Sequence, residues 1–117
     1  MKKTLVLSIL LCAAFALRAQ SLIGQQLKSK ESVIMYLVEQ EKLAHDFYRS
    51  LDTMWVTDTF NRVANEEYEH VGKLSAVAAE LMISVPNHFN EYPMGQFIDN
   101  KLRHLYAELM IAANFSL

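Results

Sequence analysis

Three ionisable residues stand where the hydrophobic pattern of the chain asks for apolar ones. Glu41 lies seven residues after Ile34 and seven before Tyr48, and at about 3.6 residues per turn all three share one helix face. Glu67 stands in the same relation to Phe60 and Leu74, and His70 to Val63 and Val77. Glu67 and His70 are three apart, hence neighbours on one helix surface. Two carboxylates and an imidazole therefore point into one seam. A carboxylate taken out of water costs on the order of several kcal/mol unless it is paired or bound to metal. Two of them side by side repel unless a cation lies between them.

A metal ion resolves that conflict. Glu with Glu-x-x-His supplies half of the ligand set that carboxylate-bridged di-iron bundles assemble from four helices. Carboxylate and imidazole donors suit iron, with manganese as the alternative ion, and the sequence offers no run of thiolates for a structural zinc site. Metal-free arrangements fit the same residues. Glu41 can pair with His45 one turn on, and Glu67 can sit at the rim of a solvated groove. The flanking acids Glu39, Glu66 and Glu69 read as a solvated face. His88, in a loop, and His104, beside Arg103, read as surface histidines. Tyr36, Tyr48 and the methionines at helical spacing read as core, with Tyr48 placed to donate to a ligand. No nucleophile with a partnered base, phosphate-binding glycine loop or cysteine motif is present, so hydrolase and nucleotide-binding functions have no support.

The elements that must position these residues are helices. From Ser32 to about Met54 there is no Gly or Pro, and Ile34, Leu37, Val38, Ala44, Phe47, Tyr48 and Leu51 recur at helical spacing. A turn-like break containing Trp55 follows. A second helix starts at Thr57 or Asp58, with a stripe of Phe60, Val63, Ala64, Val71, Leu74, Val77, Ala78 and Leu81. It should stop before Pro86. Asn87 to Gly95 follows Pro86, holds Pro93 and reads as a surface loop. Asp99 or Asn100 then caps a shorter helix carrying Leu102, Leu105, Tyr106, Leu109 and Met110. The class is all-α: an antiparallel hairpin with a short third helix.

The N-terminus is expected to be a signal peptide over residues 1–19. Lys2 and Lys3 precede an apolar run from Leu5 to Leu17, and Leu17-Arg18-Ala19 reads as an imperfect cleavage site. That run is shorter than the roughly 20 residues a membrane span takes. Residues 20–31 form a flexible lead-in and 32–117 the helical domain, placed in the periplasm or outside the cell. Cleavage removes Lys2, Lys3, Arg18 and no acid, so 11 basic against 13 acidic residues become 8 against 13, and net charge moves from −2 to −5. An acidic chain without a basic face is a poor partner for nucleic acid or for a membrane surface. The sole cysteine, Cys12, leaves with the leader, so packing or metal must hold the domain together.

Glu39-Gln-Glu-Lys-Leu-Ala-His-Asp-Phe-Tyr48, followed by Asn65-Glu-Glu-Tyr-Glu-His-Val-Gly-Lys-Leu74, resembles the first two helices of ferritin-like proteins. More closely, the first segment resembles the Glu-Glu-Glu-Lys-Leu-Ala-Arg-Asp-Val-Tyr signature of a bacterial and archaeal ferritin-like family catalogued as domain of unknown function 2202. Leu102 to Leu117 is similar to that family's mid-domain helix and the link after it. The resemblance implies iron binding, with Fe(II) oxidation by oxygen as the associated chemistry. By position, Glu41 and His70 would each hold one metal and Glu67 would bridge both. His45 departs from the family's arginine and Gln40 from a glutamate. Family members continue into two further long helices that supply the other half of the site, whereas this chain ends where they would begin. The resemblance then implies one of two outcomes: a homodimer that completes the bundle, with two metal ions in the finished site, or a truncated, metal-free helical interaction module.

Overall fold

The structure, a computed structural model, describes residues 29–55 and 57–116. The expected signal peptide and the lead-in up to residue 28 lie outside the described residues. Four helices follow one another: α1 (Lys30–Trp55), α2 (Asp58–Glu80), the single-turn α3 (His88–Glu91) and α4 (Asn100–Phe115). There is no strand among the described residues, and no described helix is long and apolar enough to cross a membrane.

Each boundary has a local cause. α1 begins two residues before Ser32 because the Ser29 hydroxyl accepts the Ser32 backbone N–H at 3.1 Å, so the last two residues of the expected lead-in belong to the helix. Thr57 caps α2 by accepting the Phe60 N–H at 3.3 Å. The end of α2 is set well ahead of Pro86. Met82 turns left-handed at φ 57°, and Ile83 and Met82 donate back to the carbonyls of Ala78 (2.8 Å) and Ala79 (3.0 Å). This is a Schellman closure with methionine where glycine is usual. Asp99 caps α4 through the Leu102 N–H at 3.0 Å.

α1 and α2 run antiparallel, as expected. Trp55 stacks near Phe60, Arg49 bonds Asn61 and Asn65, and at the far end Ile34 and Val38 share a cluster with Val71 and Ala78. The main core lies at the Phe60 end, where Leu102, Leu105, Leu109 and Ala113 of α4 close over Leu43, Phe47, Leu51 and Phe60. α1 is thus covered by α2 on one side and by α4 on another.

The segment between α2 and α4 departs from the surface loop expected of it. It carries α3 and buries Ile83, His88 and Phe97 against α1. Gly95 shows why it fits: at φ 78° it presses so close to the Tyr106 ring that a β-carbon would come within 2.6 Å. Its N–H reaches Asp46 on α1 at 2.9 Å. With this third side covered, the middle of α1 is buried nearly all round. One face of the hairpin stays open, and there the outer part of the α2 stripe differs from expectation: Val77 and Leu81 are 45% and 46% exposed.

Candidate metal centre

On that open face, Glu41 of α1 meets Glu67 and His70 of α2. One ligand atom from each lies within 4.8 Å of the others. His70 Nδ1 is 3.3 Å from Glu41 Oε2 and 3.2 Å from Glu67 Oε2. Where both carboxylates are ionised they only accept, and the imidazole N–H is then shared between them. Side-chain exposure is 33% for Glu41, 19% for Glu67 and 48% for His70. The trio thus sits at the open edge of the seam, with Glu67 deepest.

The electrostatics follow from that placement. Burial pushes the Glu67 carboxyl up to about 8, the neighbouring Glu41 carboxylate adds to the rise, and His70 opposes it. Burial pulls the His70 imidazole down, but the two carboxylates outweigh this and its pKa is raised overall. The crowded acids and imidazole thus hold their protons more tightly than free side chains do. Their chemistry suits iron or manganese: three hard donors on two packed helices converge on one point. Three protein donors also leave coordination positions open, as catalytic rather than structural metal sites do.

The sequence-predicted trio is therefore brought together. Glu41 does not pair with His45. His45 Nδ1 instead lies 2.8 Å from Asp46 Oδ1, with its ring edge-on to Phe89. Tyr48 is buried beside Phe47 and Phe60. Glu66, Glu69 and His104 are exposed, as expected.

Two expectations are corrected. Glu39 is not on a solvated face. It is buried and accepts the N–H groups of Ile98 (2.6 Å) and Asp99 (2.8 Å), with His88 Nε2 at 3.3 Å. Burial raises its pKa, but His88 and the two amides outweigh this and hold it below the usual carboxylate range. His88 in turn is not a surface histidine: it is buried, with Nδ1 donating to the Pro86 carbonyl at 3.0 Å. Both errors have one origin, the inward packing of the 83–99 segment.

The same packing creates a second charged group that residue spacing left unnoticed. Lys42 is buried and gives its ammonium to Asp46 (2.6 Å) and to the carbonyls of Pro93 and Gln96 (3.1 Å each), above the Phe97 ring. Asp46 also receives the Gly95 N–H. The only sequence signal was the four-residue spacing of Lys42 and Asp46, which more often marks a solvated helix pair.

Residues 30–117 match the family described as Uncharacterized protein domain (DUF2202). No curated protein and no solved structure matches the chain.

Proposed function

We propose that this chain, which belongs to the DUF2202 family, is an exported metal-binding protein in which Glu41, Glu67 and His70 hold iron. One observation carries the reading. Two carboxylates and an imidazole from two different helices converge within 4.8 Å on an open face, and their crowding adds to the burial that raises the Glu67 pKa. A divalent ion supplies the missing positive charge and engages all three donors at once. Manganese is the alternative ion. Export rests on the basic start and the short apolar run of the first 19 residues.

The protein's own part in this chemistry is to hold and to tune. Glu41 and Glu67 contribute negative charge, which favours the higher oxidation state of a bound metal, and His70 contributes a neutral donor. Bound iron supplies the Fe(II)/Fe(III) couple, with dioxygen as oxidant, in keeping with the ferritin-like proteins that the motifs resemble. The exposed side of His70 leaves the centre reachable by a small oxidant.

The test is iron retention. The exported chain is loaded anaerobically with Fe(II), desalted and assayed for metal. Iron should be retained by the native chain and by Glu66→Ala, and lost in Glu67→Ala and His70→Ala. A native chain that retains no iron overturns the reading. A second reading, a metal-free helical interaction module, is favoured by the exposed Val77 and Leu81. It expects thermal stability that is indifferent to Fe(II) and Mn(II), whereas the metal reading expects stabilisation by both.

A further inference from the structure

We propose that the cleft between α2 and the 85–89 segment binds an uncharged, planar aromatic molecule of one or two rings that carries a hydrogen-bond acceptor. The inference stands apart from the metal reading and needs no ion.

Tyr68, Gly72 and Ser75 are spaced four and three residues apart and share one face of α2. It is a different face from the one that carries Glu67 and His70. Opposite stand Val85, Pro86 and Phe89, and the space between the two walls is about 350 Å³. A benzene ring occupies a cavity of ~150 Å³, so this space is matched to a small ring system and lies at the lower end of ligand sites.

The walls define the ligand. The rings of Tyr68 and Phe89 lie 4.7 Å apart at 37°, and Phe89 is braced in turn by His45, edge-on and also at 4.7 Å. Tyr68 nevertheless stays 56% exposed, so a supported aromatic ring is offered to solvent, and a flat ring stacks on it. Gly72 leaves room for that ring: a β-carbon at this position would meet nothing within 4 Å. No close neighbour demands glycine there, although glycine within a helix costs stability. The Ser75 hydroxyl is half-buried and has no partner among the described residues, which leaves it to donate to an acceptor on the ligand.

Charge is excluded by the same lining. No carboxylate or ammonium borders the cleft. His88 borders it, but its two ring nitrogens face the Pro86 carbonyl at 3.0 Å and Glu39 Oε2 at 3.3 Å, both inside the fold. A charged ligand would leave water with nothing to answer it, so the cleft selects a neutral one.

Coumarin, a neutral two-ring lactone, is the probe, titrated into the isotope-labelled exported chain and followed by amide NMR shifts. Shifts at Tyr68, Gly72 and Ser75 should saturate with a Kd of about 1 mM or below. Gly72→Leu fills the space and should weaken binding about tenfold or more, with helicity unchanged and the melting temperature equal or higher. Tyr68→Ala removes the stacking ring and should weaken binding about fivefold. Coumarin-3-carboxylate, the same rings with a charge, should bind about tenfold more weakly than coumarin. Iron retention should be unchanged in Gly72→Leu, so failure of the cleft and failure of the metal reading are told apart. Absence of saturable shifts at these residues overturns the proposal, as does binding that survives both Gly72→Leu and Tyr68→Ala, or equal affinity for the carboxylate.

Discussion

Replacing Glu67 with glutamine should stabilise the metal-free protein at alkaline pH while abolishing iron binding. Glu67 is raised from 4.5 to about 8 in the folded chain, first by burial and then by the Glu41 carboxylate. A folded pKa above the unfolded one means that the native state binds the proton more tightly. The associated stability is present below about pH 4.5 and is lost as pH rises through 8. At about 1.36 kcal/mol per pKa unit the full cost approaches ~5 kcal/mol. Glu67 shares its proton with Glu41 and His70 and keeps 19% of its side-chain surface in water, so ~1–3 kcal/mol is the expected size. Glutamine keeps the shape and removes the charge, so Glu67→Gln should melt roughly 5–15 °C above the native chain at pH 8.5 in chelator. At pH 4.5 the two should nearly coincide. Circular-dichroism melts across that range provide the measurement, with retained iron assayed in parallel. A Glu67→Gln chain that is less stable than native at pH 8.5, or whose advantage does not grow with pH, would refute the assignment of charge strain to this cluster.

The buried charges beneath the 83–99 segment give the remaining expectations. Glu39 has a lowered pKa, so its stabilisation is present above about pH 4.5 and lost as pH falls through the folded value. Glu39→Ala strands the Ile98 and Asp99 amides and should cost about 2–4 kcal/mol, seen as a lower urea midpoint and faster amide exchange at the start of α4. Lys42→Met leaves buried Asp46 without its cation and should cost about 3–5 kcal/mol, whereas Lys42→Met/Asp46→Leu should recover part of that loss; chemical denaturation distinguishes the two. Gly95→Ala combines a left-handed backbone with a β-carbon 2.6 Å from Tyr106, and should lower stability by about 1–3 kcal/mol in the same assay.

The helices and the Glu41, Glu67 and His70 trio were legible because both depend on spacing alone. Apolar residues three and four apart along Ser32–Met54 and Phe60–Leu81 define faces without reference to any distant residue, and Glu41, Glu67 and His70 interrupt those faces. Thr57 and Asp99 announced the starts of α2 and α4 through their side-chain oxygens. What was not legible depended on contacts between distant residues. Glu39 and Lys42 meet Ile98 and Gln96 more than fifty positions away, and no local pattern says that a proline-containing segment will fold back on α1. The end of α2 was hidden for a different reason: Met82 adopts a backbone conformation that composition assigns to glycine.

The buried charged groups on α1 set the open face apart. Glu39 has two backbone amides and an imidazole around it, and Asp46 has an ammonium, an amide and an imidazole. Each of these carboxylates is answered by more than one donor, and their role is to fasten α3 and α4 to the hairpin. Glu41 and Glu67 share one imidazole nitrogen and the proton that Glu67 retains. A fold that satisfies its deeply buried acids so completely does not gain stability from leaving two others short, one turn away and near solvent. Two acids crowded together on an open face suit a group arranged for something outside the chain, and a metal ion fits the donors that are there.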